Sequence, residues 1–261
     1  MANTKNAKLT IITPTLNCAQ TIKDTINSTS NLRRSIATHL IVDSGSSDGT
    51  VSISVSDGLE VKYYPPGNMY AAINYGISLC DSEWVTYING DDILFSESMM
   101  ASLASDNDVD VIYGNIDYID GEGRFLFPWS SAPKVDFKAL FFAGVMPFPQ
   151  PGTFFRKSLW EKLGGFNEEF KFSSDFDFFL RAYMAEAKFL HYDRYTSAAF
   201  RLHKMQISNL HKEAMFLESR KAIIQSGLRV GVIRRMWSLS RMRIRNIRNY
   251  LIRYLRRLEL E

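Results

Sequence analysis

Short apolar runs that alternate with helical periodicity dominate the first 113 residues of the chain. A helix is predicted between the third and fourth runs, because Met69, Ile73 and Ile77 recur every four residues and leave one face apolar. Strands that alternate with helices are typical of a parallel sheet whose crossover helices cover both faces. The sequence therefore predicts an α/β fold. The predicted strands are residues 9–13, 38–42, 59–63, 83–88 and 109–113.

Turn and capping residues mark the boundaries of several elements. We expect Asn17 to cap the first helix and the Ser/Asp/Gly cluster at 46–50 to open the second. A further helix is expected near residues 94–104. Asp and Gly residues at 120–123 predict the turn of a hairpin that spans residues 117–127.

The composition is that of a globular chain: 46% of its 261 residues are hydrophobic and 23% are charged, which is enough to build a buried core. Neither Cys18 nor Cys80 lies in a Cys-x-x-Cys spacing, so a disulfide framework and a zinc cluster are excluded and a reducing compartment is favoured. The first eight residues are polar, and no run approaches the roughly 18 apolar residues of a membrane span. We therefore expect a cytoplasmic protein.

The net charge of +3 conceals an uneven distribution. Residues 201–261 contain 15 Lys and Arg against 4 Glu, whereas residues 1–200 contain 16 basic and 24 acidic side chains. Apolar residues recur at three- and four-residue intervals among the arginines of the last segment. We therefore predict a main domain at residues 1–203 and a basic amphipathic helical tail at residues 204–261.

The basic tail has three interpretations from the sequence. It could be a solvated helix packed on the main domain, an arm that binds nucleic acid, or an amphipathic helix on an anionic bilayer. Trp237, Tyr250 and Tyr254 lie near the boundary of the apolar stripe, and each arginine near an anionic surface adds about 1 kcal/mol. These features favour the bilayer, although part of the stripe could dock on the domain.

Polar residues follow three of the predicted strands at the point where each strand ends. In an open parallel sheet the ligand lies beyond the carboxyl ends of the strands, so these loops can line one shared crevice. They are Pro14, Thr15 and Asn17 after the first strand, Asp43 and Ser44 after the second, and Asn89, Gly90, Asp91 and Asp92 after the fourth.

The adjacent carboxylates of Asp91 and Asp92 carry the most chemical information. Two such groups repel each other unless a cation lies beside them, and oxygen ligands select hard ions such as Mg²⁺ or Mn²⁺. The alternative is structural: Asp92 caps the helix expected near residues 94–104 and Asp91 is solvated. Asp43 could likewise be a turn aspartate that accepts hydrogen bonds from its own backbone.

Taken together, the motifs resemble the family 2 glycosyltransferases. The strings TIITPTLN, IVDSGSSDGT and YINGDD, at residues 10–17, 41–50 and 87–92, resemble the nucleotide-sugar-binding half of that family. Later segments, at residues 150–156, 164–168, 174–181 and 200–208, are similar to its acceptor-side strand, acidic helix and closing strand. The resemblance covers residues 8–210 and implies a GT-A fold, which is a Rossmann-like, mostly parallel sheet flanked by helices.

The resemblance also implies roles for individual residues. Asn89 stands where the family carries the first acid of a D-x-D motif, and Ser44 where many relatives carry a second aspartate. The implied nucleotide-sugar-binding residues are Pro14, Thr15, Asn17 (as support for the loop), Asp43, Ser44, Asn74 and Asn89; the metal ligands are Asp91, Asp92 and His203; the catalytic base is Asp175.

The chemistry explains why carboxylates are needed in two roles. A carboxylate-bound divalent ion neutralises the departing diphosphate as a Lewis acid, and a second carboxylate accepts the proton of the acceptor hydroxyl. Asp175 and Asp177 point about 200° apart on a helix, and we choose Asp175 because it lies at the N-terminal edge. The alternative is that Asp175 is not the base and lies there because the helix dipole favours an acidic side chain at the N-terminus. His203 could equally be structural.

These inferences predict an inverting, Mn²⁺- or Mg²⁺-dependent glycosyltransferase that uses a UDP-sugar. The resemblance adds an acceptor glycan on a polyprenyl diphosphate carrier, at the inner face of the plasma membrane, in assembly of a surface polysaccharide such as O-antigen or capsule.

Three other classes of function remain to be weighed. A sugar nucleotidyltransferase should show a glycine-rich phosphate loop, and residues 13–17 contain no glycine. The chain could instead be a catalytically silent, membrane-associated module that binds sugar nucleotides. Asn89, in place of the family's acid, would then reflect the loss of catalytic activity. A nucleic-acid-binding protein is the weakest alternative, because the main domain is net acidic.

Overall fold

A computed structural model describes residues 7–95, 108–203, 206 and 210–258 of the chain, without the side chains of residues 253–258. The described strands are β1 Leu9–Thr15, β2 Ala37–Asp43, β3 Glu60–Tyr63, β4 Trp84–Tyr87, β5 Ile93–Leu94, β6 Val111–Ile119, β7 Phe125–Trp129, β8 Phe154–Arg156 and β9 Phe189–Arg201. The described α-helices are α1 Ile22–Ser28, α2 Ser30–Ser35, α3 Thr50–Ser56, α4 Met69–Ser78, α5 Phe137–Phe142, α6 Lys157–Lys162, α7 Ser174–Met184, α8 Lys212–Ser226, α9 Val232–Arg245 and α10 Ile247–Leu258.

The strands form one mixed sheet in the order β3-β2-β1-β4-β8-β6-β9-β5, with β7 paired to β6. Strands β1 to β4 are mutually parallel where they pair, and β6 and β9 are also parallel. The remaining pairs are antiparallel. Because β1 lies between β2 and β4, the loops that follow these three strands meet at one edge of the sheet. The predicted α/β sheet flanked by helices is confirmed.

Helix α4 packs unusually closely on the parallel strands. Gly76 faces the sheet, where a Cβ atom would lie 2.9 Å from Val42 and 3.0 Å from Ile12, so a larger residue would push the helix outward. Asn68 caps the helix by accepting a hydrogen bond from the backbone N–H of Tyr70 at 2.9 Å. This cap fixes the first turn of α4, which carries Tyr70 toward the start of α7.

Two local expectations are wrong and one lies partly outside the described residues. Helix α1 is preceded by Thr21 and not by Asn17, which instead adopts a left-handed backbone with φ of 55°. The strand predicted to stop at Tyr113 continues to the hairpin because β9 pairs along it. Of the helix expected at 94–104, Leu94 belongs to strand β5, and residues 96–107 lie outside the described residues.

The helices of the tail pack on the rest of the chain. Helix α8 packs on α7, α9 on α5, and α10 on β7. The Asn246 side chain joins this contact by accepting a hydrogen bond from the backbone N–H of Ser130 at 2.9 Å and donating one to its carbonyl at 3.1 Å. Across the described part of the chain, we find no helix with the length and apolar character needed to cross a bilayer.

Candidate active site

Asp43 organises the first part of the site, at the carboxyl end of β2. Thr15, its register partner on β1, donates a hydroxyl hydrogen bond to Oδ2 at 2.8 Å. The backbone N–H groups of Gly45 and Ser46 donate to Oδ1 at 2.9 and 2.8 Å. Burial opposes ionisation, but the hydrogen bonds outweigh it and lower the pKa of Asp43. An ionised Asp43 therefore shapes this loop, as the turn-aspartate alternative also requires.

Asn17 joins the loops that follow β1 and β2. Its backbone N–H donates to the Ser46 hydroxyl at 2.9 Å, and its side-chain oxygen accepts from the Ser47 N–H at 2.9 Å. The N–H of Ser44 donates to the Thr15 carbonyl at 2.9 Å, while Pro14 is buried within β1. Hydrogen bonds thus join the carboxyl ends of β1 and β2, which carry five of the residues predicted to bind the nucleotide sugar, and Asn17 links the two loops.

Asp91 and His203 form the second part of the site, although 112 residues separate them. His203 Nε2 lies 2.9 Å from Asp91 Oδ2, and the two side chains are 34% and 25% exposed. The pair combines a carboxylate oxygen, which suits Mg²⁺ or Mn²⁺, with an imidazole nitrogen, which is a common ligand of divalent transition metals, and solvent can reach both. These residues fit a divalent ion.

A cation here would take its remaining ligands from a substrate. Among the residues that the structure describes, no group of three or more His, Cys, Asp or Glu side chains is arranged to hold a metal. Sites that hold Mg²⁺ through one or two protein ligands, together with substrate phosphates, are common. Asp91 and His203 would therefore suffice for an ion whose other ligands are phosphate oxygens.

Asp92, also predicted as a metal ligand, has a different environment. Its side chain is fully buried, Oδ1 accepts a hydrogen bond from the backbone N–H of Arg201 at 2.9 Å, and Oδ2 accepts one from Asn89 at 3.3 Å. Burial and the neighbouring Asp91 raise the pKa of Asp92 well above its usual range. The structure therefore does not place Asp92 on the open face that Asp91 and His203 share.

Arg201 holds this loop together, and the sequence did not single it out. The side chain is 2% exposed. It donates to the Asp91 carbonyl at 2.7 Å, to the Gly121 carbonyl at 2.8 Å and to Asp24 Oδ2 at 2.9 Å. One buried guanidinium therefore connects the loop at residues 89–92, the hairpin turn and α1. The only sequence signal was its place two residues before His203.

We expect Arg201→Met to lower the free energy of unfolding by about 2–4 kcal/mol, because each buried carbonyl left without a partner costs about 1–3 kcal/mol. Denaturant unfolding measures this loss. Arg124, which is 74% exposed in the hairpin, provides the control, since Arg124→Met should change stability by less than about 0.5 kcal/mol. Equal unfolding midpoints for the two variants would contradict the structural role of Arg201.

Asn89 presents an unsatisfied acceptor. Its Oδ1 atom is buried and makes no hydrogen bond within the described protein, although its amide nitrogen donates to Asp92. An unpaired buried oxygen is costly, so a ligand hydroxyl that donates to it would relieve the cost. Asn89 can therefore accept a hydrogen bond at a position where the family has an acid.

Asp175 lies in the first turn of α7 and is half-buried. Its Oδ1 atom accepts hydrogen bonds from the Tyr70 hydroxyl at 3.0 Å and from the Phe176 N–H at 2.8 Å. Burial outweighs these bonds and raises the pKa of Asp175. Asp177 is instead paired with Arg181 at 2.8 Å and is 6% exposed, so Asp175 is the more accessible of these two carboxylates.

Tyr87 connects the two halves of the site. Tyr87 is the last residue of β4, just before the loop at residues 89–92. Its ring packs edge-on against that of Tyr70, with centroids 6.5 Å apart. Tyr70 in turn donates to Asp175. Asn74, in contrast, is held away from the nucleoside loops, because its side chain bonds to Phe166, Trp160 and Glu168.

A mixed sheet of this topology, flanked by helices, is that of the GT-A fold. Comparison with solved structures agrees: S. aureus TarS 1-349, in complex with UDP, is similar with a TM-score of 0.63 and 18% identity over 92% of this chain and 71% of that one. Glucosyl-3-phosphoglycerate synthase from Mycobacterium tuberculosis, in complex with Mn²⁺, UDP and phosphoglyceric acid, has a TM-score of 0.63 and 17% identity over 86% and 80%.

Residues 10–164, more than half of the chain, match the model of glycosyl transferase family 2. The chain belongs to that family and is a glycosyltransferase. A PGL/p-HBAD biosynthesis glycosyltransferase of Mycobacterium bovis is 24% identical over 85% of this chain and 88% of its own length. An uncharacterized glycosyltransferase of Rickettsia conorii is 26% identical over 83% of this chain and 38% of its own length.

Proposed function

We propose that this chain is an inverting glycosyltransferase that moves a sugar from UDP to a hydroxyl of a glycan acceptor, with Mn²⁺ or Mg²⁺ bound at Asp91 and His203. The observation that carries the proposal is the 2.9 Å pair of Asp91 and His203 at the carboxyl edge of the sheet. The UDP in TarS and the Mn²⁺ with UDP in glucosyl-3-phosphoglycerate synthase support the choice of donor and ion.

The divalent ion supplies Lewis-acid stabilisation of the charge that develops on the leaving diphosphate. Asp175 accepts the proton of the acceptor hydroxyl as its oxygen forms the new bond to the anomeric carbon and the bond to the diphosphate breaks. A raised pKa makes this carboxylate a stronger base than an ordinary aspartate. The Tyr70 hydroxyl fixes its orientation. A single displacement inverts the anomeric centre.

The decisive experiment is a screen of nucleotide sugars with and without Mn²⁺, followed by the best donor with synthetic lipid-diphosphate acceptors. The proposal expects metal-dependent turnover with a UDP-sugar and an inverted anomeric product, which NMR identifies. Tight UDP binding without turnover across the panel would favour the catalytically silent module. Metal-independent turnover would reject the role of Asp91 and His203.

For the acceptor, we propose a lipid-diphosphate-linked glycan at the inner face of the plasma membrane, in O-antigen, lipopolysaccharide or capsule synthesis. Support comes from helices α9 and α10, which bury polar residues and expose apolar ones. Ser238, Asn246 and Asn249 are 1%, 0% and 5% exposed, and Ser238 donates to Asp136 Oδ1 at 2.8 Å. The exposed apolar residues of these helices include Val232, Ile233, Met236, Trp237, Ile244, Ile247 and Leu251.

Such a pattern is the reverse of a water-facing helix, which buries its apolar stripe. Exposed arginines at 234, 235, 243 and 248 border the apolar face. Apolar side chains flanked by arginines match the hydrocarbon and the anionic headgroups of a bilayer surface. The outward face of α9 and α10 is therefore proposed as the membrane-binding surface, which would hold the active site near a lipid-linked acceptor.

We expect the double variant Ile233→Glu/Trp237→Glu to bind anionic vesicles at least about 100-fold more weakly, since insertion of each large apolar side chain contributes about 1.5–3 kcal/mol. Vesicle co-sedimentation with phosphatidylglycerol measures the affinity. Val55 and Leu79 are exposed apolar residues outside the tail, so Val55→Glu/Leu79→Glu makes the same charge change as a control. If both double variants bind like the unmodified protein, the surface is wrongly assigned.

A further inference from the structure

A tail residue, Glu218 on α8, accepts three hydrogen bonds from the backbone that leads into α7. Its Oε1 atom accepts from the Lys171 N–H at 2.9 Å, and Oε2 accepts from the N–H groups of Phe172 and Ser173 at 2.9 and 2.8 Å. Hydrogen bonds to a charged acceptor are about twice as strong as neutral ones. One carboxylate thus satisfies three consecutive donors immediately before the helix that carries Asp175.

The N-cap residue of α7 does not cap it. Ser173 occupies the N-cap position, but its side chain makes no capping hydrogen bond and donates instead to the Met215 carbonyl on α8 at 3.1 Å. The N–H groups that bond to Glu218 belong to the residues just before the first turn, because α7 begins at Ser174. Helix α8, more than 40 residues further along the chain, therefore holds the backbone that enters α7.

Other contacts hold the same segment on α8. The rings of Phe172 and His211 stack with centroids 4.3 Å apart. Lys221 pairs with Glu169 at 2.9 Å and lies over the Phe170 ring at 5.2 Å. These contacts hold residues 169–173 against α8. The segment ends two residues before Asp175, the proposed base.

From this geometry we infer that Glu218 is a positioning residue for glycosyl transfer: it fixes the 171–173 backbone, and through it the place of the Asp175 carboxylate. The inference rests on the proposed function, because it takes Asp175 as the base. It makes α8 part of the active site, although α8 lies beyond the region that the family model matches. Glu218 does not touch the reacting atoms itself.

Charge gives Glu218 a second effect on the same base. The groups around Asp175 are Tyr70, which donates to it, Tyr87, and Glu218, whose negative charge contributes to raising the pKa of Asp175. Loss of that charge should move the acid limb of the pH–kcat profile to lower pH. A role confined to folding would leave the limb in place.

The test compares Glu218→Gln with Glu213→Gln in the full-length protein. Glu213 is exposed on the same helix and is a matched control for charge and side chain. For Glu218→Gln we expect kcat to fall about 10- to 100-fold, because small displacements of a catalytic group cost up to about 100-fold. UDP affinity, measured by calorimetry with Mn²⁺, should stay within about twofold. Amide exchange at residues 171–173 should become faster, and the acid limb should move to lower pH.

Two results would overturn the inference. One is that Glu218→Gln matches Glu213→Gln in kcat, pH profile and amide exchange. The other is that kcat, UDP affinity and thermal midpoint of Glu218→Gln fall together, which indicates a structural role only. Amide exchange separates this inference from the proposed function, since it needs no turnover: if the unmodified protein transfers no sugar, the proposed function fails, while the exchange data still report whether Glu218 holds the segment.

Discussion

Asp91→Ala should abolish the metal-dependent part of UDP binding, with a loss of more than about 100-fold in affinity, because even second-shell changes at metal sites cost about 10- to 100-fold. The fold should survive, since Arg201 bonds to the backbone carbonyl of Asp91 and not to its carboxylate. Isothermal titration of UDP with and without Mn²⁺ measures the effect.

Asp81 offers a control for that experiment. It is an exposed aspartate just before β4, at the opposite end of the strand from Asp91, so Asp81→Ala removes the same charge far from the proposed ion. Its UDP affinity should equal that of the unmodified protein. Unchanged Mn²⁺-dependent affinity in Asp91→Ala would remove Asp91 from the site and leave His203 without its partner ligand.

Asp175→Asn should leave UDP affinity intact while kcat falls by about 10²- to 10⁴-fold, which is the usual contribution of a general base. Asparagine keeps the size of the side chain and can still accept the Tyr70 hydrogen bond, but it cannot take a proton. Single-turnover measurements with the best donor and acceptor separate this loss from changes in product release.

The pH dependence of the unmodified enzyme provides a further measurement on Asp175. The base works only when ionised, so the rate is lost as pH falls through its pKa. Because burial raises that pKa, the acid limb of kcat should lie above the range of an ordinary aspartate. A limb within the ordinary aspartate range would contradict the assignment.

Asp177→Asn is the companion variant for Asp175→Asn. Asp177 pairs with Arg181, which also donates to the carbonyls of Leu163 and Gly165, so its loss should lower the thermal midpoint. The kcat per folded molecule should be retained. A collapse of turnover in Asp177→Asn together with a near-normal rate in Asp175→Asn would reverse the two roles.

The parallel half of the sheet and its loops were predictable because both are local properties of the sequence. Buried parallel strands require continuous apolar runs, and the polar residues at their ends fall at one edge by topology alone. Asp43 and Asp91 could therefore be assigned to a shared crevice. His203 could be assigned only through the family resemblance, because its approach to Asp91 depends on the path of β9.

Burial of the acids could not be predicted from their spacing. Asp91 and Asp92 are neighbours in sequence, yet one is 25% exposed and the other is fully buried. The difference arises because Arg201, from the end of β9, supplies the N–H that Asp92 accepts. Asn74 was assigned to the nucleotide, but the fold of residues 160–168 around its amide engages both of its polar atoms.

The apolar periodicity of the tail was evident from the sequence, but not which face would dock. Tertiary structure places Ser238, Asn246 and Asn249 against the domain and leaves Trp237 66% exposed. The hydrogen bonds from Ser238 to Asp136 and from the Ser130 N–H to Asn246 decide this orientation, whereas a periodicity argument counts only apolar residues. Likewise, no sequence signal distinguished Glu218 from the other charged residues of the tail.

By itself, the sequence determined the α/β architecture, the family and the polar residues at the ends of the parallel strands, since strand periodicity and motif order are encoded over short stretches of chain. Only the tertiary structure decided which carboxylate stays exposed, that a buried arginine secures the loop at residues 89–92, and that a tail helix holds the segment that leads into the helix of the proposed base. Each of these depends on hydrogen bonds between residues about 45 or more positions apart, whose pairing is set by how the elements pack.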